Sequence, residues 1–236
     1  SHGESASYLV TRNLLRNMLN IGLDAASAQA ELALRAELEE IMPGQAAEIY
    51  PYLAQLLEIH LDEEAARRIR YLEGEALHRQ IIQSVQDYVR AKSRQSPLVL
   101  VWEDLQWADP SSLTLLEALV PITQQCPLLL VLIYRPALDS RIWACHQKVS
   151  QLIGDAHNII ELEPLSYQEC GQLLDNLLGA GALPDQVRHL IITKAEGNPF
   201  YLEEVIRSLI NQEAITRSED DSCWVATAGL EEIKLP

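Results

Sequence analysis

Three textures follow one another along the chain. From residue 8 to about 92, apolar residues recur at spacings of three and four: Leu14, Leu15, Met18 and Leu19; Ile49, Tyr50, Leu53, Leu56 and Leu57; Leu77, Ile81, Val85, Tyr88 and Val89. Such spacing lines up one face of each successive helix. Breaks at Asn20-Ile21-Gly22, Met42-Pro43-Gly44 and Leu61-Asp62-Glu63 leave short helix-to-helix connections. Core packing accounts for these stripes without any ligand.

After Ser96 the pattern changes to short apolar runs rich in Val, Leu and Ile at Leu98–Trp102, Leu128–Tyr134 and Asn158–Leu162. These read as buried strands. Between the first two lies Asp109-Pro110-Ser111-Ser112-Leu113, in which Asp109 can cap a helix and Pro110 suits its first position. Strand, helix and strand form a crossover unit, which joins parallel strands. Ligands of parallel sheets sit beyond the carboxyl ends of the strands, and the first strand delivers Glu103 and Asp104 there.

From Ser166 the spacing is helical again. Ser166-Tyr167-Gln168-Glu169 has capping-box spacing, with Leu173, Leu174, Leu177 and Leu178 following before Gly179. A second helix runs from about Asp185 to Ala195. A third starts at Asn198-Pro199 and carries Phe200, Leu202, Val205, Ile206, Leu209 and Ile210. The tail, Ile215–Arg217 and Cys223–Ala226 around the acidic turn 218–222, reads as a hairpin. The expected division is therefore a helical region at 1–95, an α/β core at 96–165, a helical lid at 166–212, and at 213–236 a hairpin that begins a further, truncated domain.

The 236 residues are 48% hydrophobic, enough for a real core, and carry a net charge of −16. That charge argues against nucleic acid as a ligand, because phosphate backbones are held by clustered Lys and Arg. No apolar run approaches the roughly 20 residues that span a bilayer. The amino terminus lacks the pattern of a signal peptide, so a cytoplasmic setting is expected. Cys126, Cys145, Cys170 and Cys223 form no C-x-x-C pair, which points to buried free thiols rather than zinc. Cys145-His146 is a poor nucleophile-and-base pair, since adjacent residues in a helix or strand point different ways.

Two carboxylates in sequence at a strand end suit a magnesium-bound phosphate. Magnesium prefers oxygen ligands and keeps several waters, so one carboxylate can hold the ion while its neighbour orients attacking water. The alternative is an acidic pair that ends a strand and caps a turn. Arg135, after the second strand, could reach a γ-phosphate or could be a surface arginine paired with an acid. Gly197-Asn198-Pro199 is explained by turn chemistry alone. None of the ten glycines opens a G-x-x-x-x-G-K-[ST] loop. Lys92-Ser93 does not supply one, because it continues a helical pattern with no glycine nearby.

The string Leu98-Val99-Leu100-Val101-Trp102-Glu103-Asp104-Leu105-Gln106-Trp107-Ala108-Asp109-Pro110-Ser111-Ser112-Leu113, then Arg135, then Gly197-Asn198-Pro199-Phe200-Tyr201-Leu202-Glu203-Glu204, resembles the AAA-type ATPase module of the STAND class. Such P-loop NTPase modules occur in bacterial class III adenylate/guanylate cyclases, LuxR-type transcription activators and multidomain kinases. The similarity extends from the Tyr8–Leu15 helix to Lys234-Leu235-Pro236. It implies a Walker B role for Glu103 and Asp104, as magnesium ligands and catalytic acids, with Glu103 on the magnesium side and Asp104 on the catalytic side. It implies a sensor 1 role for Arg135 and a nucleotide-facing lid position for Pro199. Trp107 and Asp109 are expected to brace the turn and cap the helix.

The implied fold is an α/β, partial P-loop NTPase with a parallel sheet, a helical amino-terminal region and a small helical lid. The implied cofactors are ATP or ADP with Mg2+. The implied partners are output and sensor domains of the same polypeptide, with a second copy of the chain a further candidate. In that family a first strand, phosphate loop, helix and second strand stand before the region seen here, and a winged helix follows it. The resemblance therefore reads the chain as an excised piece, with Ser1-His2 as tag residues, that binds nucleotide weakly and turns over negligibly by itself. The other reading is a non-catalytic scaffold or protein-interaction module. In the family's 5-1-4-3-2 sheet order, the piece has an empty central slot beside Asn158–Leu162. An open slot leaves backbone unpaired, so the outer strands are expected to pair directly or to accept a segment of another copy.

Overall fold

The computed structural model describes residues 8–22, 25–137, 140–179, 183–218 and 224–226, so Ser1-His2, the turn residues 219–222, Cys223 and Lys234-Leu235-Pro236 lie outside the described residues. The chain divides into two units, Ser1–Asn158 and Ile159–Pro236.

In the first unit, helices α1 (Leu9–Met18), α2 (Ser27–Ile41), α3 (Ala46–Leu56), α4 (Glu63–Ile69) and α5 (Gly74–Gln95) precede the sheet, and they break where the sequence pattern breaks. Their stripes meet in one core in which Leu15, Leu34, Leu38, Leu53 and Tyr88 are fully buried. Lys92 and Ser93 lie in the last turns of α5. Lys92 is ion-paired with Glu37, and the Ser93 hydroxyl donates to the Arg90 carbonyl at 3.0 Å.

The sheet of this unit is a parallel pair, β1 (Leu98–Trp102) and β2 (Leu128–Leu132), in register from Leu98 opposite Leu128 to Trp102 opposite Leu132. The crossover is α6 (Pro110–Leu119), capped by the Asp109 side chain with Pro110 at the first turn, followed by a 3-10 turn. This is a mostly helical architecture around a small parallel α/β element, compatible with a partial P-loop fold.

Leu100 and Trp102 are buried, whereas Val99, Val101 and Leu129 remain about half exposed. One sheet face is thus covered and the other open, although uniformly apolar parallel strands normally bury both. β2 is shorter than the run Leu128–Tyr134. One ladder bond continues past it, from the Ile133 N–H to the Trp102 carbonyl at 2.8 Å. The helix α7 (Arg141–Ile153) follows, capped by Ser140, with Ile142, Cys145 and Val149 buried. Its buried residues recur at the helical spacing of three and four.

In the second unit the structure corrects one expectation. Residues 158–162 form no strand, and Ile159, Ile160 and Leu162 are largely exposed. A strand needs a hydrogen-bonding neighbour to be worth ordering, and among the described residues β1 pairs only with β2. Among the described residues the expected outer strand at 158–162 is therefore missing, and the expected closure by it has no strand to rest on. Beyond this segment α8 (Tyr167–Leu178) begins with the capping box of Ser166 and Glu169. It packs with α9 (Asp185–Ala195) and α10 (Pro199–Asn211) around Leu174, Ile191, Leu202 and Leu209. β3 (Ile215–Arg217) and β4 (Trp224–Ala226) pair antiparallel.

Gly197 turns α9 into α10 with φ of 77°, and a Cβ there would stand 2.5 Å from the Leu165 carbonyl oxygen. The Gly197 carbonyl also accepts the Leu165 N–H at 2.8 Å. Asn198 then accepts the Phe200 amide at 3.0 Å, with Pro199 at the first helical turn. Gly197→Ala should therefore destabilise this unit by at least about 2 kcal/mol, from left-handed strain plus backbone overlap. Urea unfolding followed by circular dichroism checks this, and an unchanged midpoint would show that the Leu165 segment moves aside at little cost.

Candidate functional site

The site starts from the burial of Trp102, which is 1% exposed and fixes which residues leave the core next. Glu103 and Asp104 follow it directly, and both are exposed at the carboxyl end of β1. Asp104 adopts a left-handed conformation with φ of 54°. Asp and Asn tolerate that region because their short polar side chains can bond locally. The turn it starts, Leu105–Trp107, is a single 3-10 turn anchored by Leu105, whose side chain is buried and whose N–H reaches the Ile133 carbonyl at 3.3 Å.

That turn brings Gln106 back over the strand end. Its side-chain N–H donates to the Asp104 carboxylate at 2.9 Å, and its side-chain oxygen accepts the Arg135 main-chain N–H at 3.2 Å. Asp104 and Arg135, 31 residues apart in sequence, are thereby joined through one amide. The Arg135 side chain is exposed, and its guanidinium has no partner among the described residues. Glu103, Asp104 and Arg135 share one end of one sheet. Pro199 belongs to the other unit, where it is exposed at the start of α10. Gln106 was present in the string that carried the resemblance, yet its role went unread. The signal was an amide two residues after an acid at a strand end.

Asp109 does more than cap α6. Its carboxylate accepts the Ser112 amide at 2.9 Å, the Ser112 hydroxyl at 2.6 Å, and the Tyr8 and Leu9 amides at 2.9 and 3.1 Å. One carboxylate thus satisfies the first turns of two helices. Burial alone would raise its pKa, but the Ser112 hydroxyl and the three amides outweigh that and hold it below the usual value. Tyr8, pushed up to about 12 by burial and then by the Asp109 charge, bonds the His78 ring. The Trp107 side chain is 83% exposed and braces the turn only through its main-chain N–H, which donates to the Asp104 carbonyl at 2.9 Å.

The Cys145-His146 pair is likewise divided. Burial, followed by the nearby Glu117 charge, pushes the Cys145 thiol up to about 11, and a thiol held protonated is a poor nucleophile. The His146 ring instead bonds the Tyr134 hydroxyl at 2.6 Å and stacks on Trp143.

Among the described residues no three His, Cys, Asp or Glu side chains cluster as a metal site. The two exposed carboxylates fit one side of a magnesium ion whose remaining ligands are water and phosphate oxygen. They do not fit an all-protein cage. No helix among the described residues is long and apolar enough to cross a membrane.

A family model described as the AAA ATPase domain matches residues 1–133, more than half of the 236-residue chain. The chain belongs to that AAA ATPase family. The match ends at Ile133, so it covers β1, the acidic pair, Gln106, the crossover helix and β2, and stops just before Arg135. A second model, of a domain of unknown function (DUF8739), matches residues 166–224 of this AAA ATPase chain. No curated protein and no solved structure matches it. In general terms an AAA ATPase domain suggests binding of ATP with Mg2+.

The Asp109 hub yields a prediction. Asp109→Ala should destabilise by more than the roughly 1 kcal/mol of an ordinary cap, because α1 loses its anchor as well. Since the folded pKa is depressed, the carboxylate's contribution is complete above the unfolded value. It is lost as pH falls below about 4 and through the lowered folded value. Urea unfolding of both proteins at pH 7 and in strong acid should show the gap shrinking in acid. A gap independent of pH would contradict the hub.

Proposed function

We propose that this chain is the magnesium-side part of an ATP-binding switch, a STAND-class module that regulates an output domain such as a cyclase, a transcription activator or a kinase in a cytoplasmic protein. The observation that carries the reading is the joining of Asp104 to Arg135 at the carboxyl end of a parallel pair, with Glu103 alongside. In this reading Glu103 and Asp104 form the Walker B position and Arg135 is sensor 1.

Bound Mg–ATP would supply the ion and the phosphoryl group. Glu103 would hold the ion through its water ligands. Asp104, fixed by Gln106, orients the attacking water and accepts its hydrogen bond. Arg135, whose guanidinium has no partner among the described residues, would meet the negative charge of the terminal phosphate and register whether it is there. The resemblance assigns Pro199, at the start of α10, to a nucleotide-responsive lid, and in this reading nucleotide state would pass to sensor and output domains of the same polypeptide. No G-x-x-x-x-G-K-[ST] loop occurs in the sequence, so this reading assigns these residues the magnesium side of the site alone.

A second reading, an interaction scaffold, draws support from the open apolar face of Val99, Val101, Leu129 and Ile133. The two separate in a protein that carries this segment together with a phosphate loop. There Asp104→Asn should keep ATP affinity within about threefold while hydrolysis falls by about 100-fold or more. Calorimetry and phosphate release measure the two quantities, and undiminished turnover would refute the catalytic reading.

A further inference from the structure

The bond pattern around Gln106 asks for one kind of side chain. Asp104 presents a carboxylate, which only accepts, and Arg135 presents a main-chain N–H, which only donates. The residue between them must donate at one end and accept at the other without adding charge. The Gln106 amide does this at 2.9 and 3.2 Å, and the reversed amide would set oxygen against carboxylate and N–H against N–H. The partners cannot drift, because Leu105 is buried within the turn and its N–H is held by Ile133.

We propose that Gln106 is a positioning residue that ties the Asp104 carboxylate to the main chain of Arg135. The acid and the arginine then move as one unit when an anionic ligand reaches the arginine. The tie itself is a property of this chain. Its bearing on turnover rests on the nucleotide reading given above.

Substitutions separate the two halves of the tie. Gln106→Ala removes both bonds. Gln106→Glu keeps an acceptor for the Arg135 N–H but sets a second carboxylate against Asp104. Gln106→His, as a neutral ring, can still donate from one nitrogen and accept at the other. In this chain, hydrogen exchange of the Arg135 amide read by NMR should quicken about tenfold in Gln106→Ala and stay near its original rate in Gln106→Glu. An unchanged rate in Gln106→Ala would overturn the tie.

In a protein that carries this segment together with a phosphate loop, Gln106→Ala and Gln106→Glu should each lower kcat by about tenfold or more, the size expected for a residue that orients a metal-site ligand. KM for ATP should stay within about twofold. Gln106→His should recover most of the turnover. A merely structural role would give neither this rescue nor a loss confined to kcat. Faster Arg135 exchange with unchanged kcat would overturn the positioning role. Asp104→Asn retains an acceptor for Gln106, so Arg135 exchange should be unaltered in it. Undiminished turnover in that variant would instead count against the nucleotide reading alone, leaving the tie to be judged by the exchange rates.

Discussion

The parallel pairing of β1 with β2, locked by the buried indole of Trp102, is the constraint on which the candidate site depends. A one-residue slip would reverse which side chains face the core. It would also place Glu103 rather than Trp102 opposite Leu132. With the register fixed, both strands end together, and the loops that follow them meet at one edge. The acidic pair and the arginine then need only a short bridge, and Gln106 supplies it. The carboxylates' geometry is thus inherited from packing beneath them.

Polar bonding elsewhere in the first unit protects that pairing. The crossover helix α6 must return the chain to the amino end of β2, and Asp109 fixes both its start and the start of α1. Leu115, Leu116 and Leu119 bury the inward side of α6 completely. The other sheet face has no such cover, and Val99, Val101 and Leu129 stand partly in water. The chain thereby keeps a well-packed side that positions the site and an open apolar side.

Much of this was legible in the sequence where local chemistry and periodicity agreed. The early helices, the crossover with its Asp109-Pro110 start, and the capping box at Ser166 and Glu169 follow from spacing and cap residues. The run at 158–162 misled because its composition suits a strand, while a strand also requires a neighbour that composition does not reveal. Trp107 misled through its size: large aromatics usually find cover, yet this one lies exposed on a three-residue turn. Gln106 escaped notice because its meaning depends on Arg135, whose proximity arises only from strand pairing. The α7 helix, by contrast, has its signals in the sequence: the Ser140 cap and the spacing of Ile142, Cys145 and Val149.

The central claim is that the carboxyl end of this parallel pair receives the metal of a bound nucleotide. Paramagnetic broadening by manganese–ATP tests it most directly, in a protein that carries this segment with a phosphate loop. Amide signals of Glu103, Asp104, Leu105 and Arg135 should fade first and together as the complex is titrated in. Broadening centred on another acidic stretch, such as Glu63 and Glu64 at the start of α4, with the Glu103 and Arg135 signals untouched, would contradict the claim.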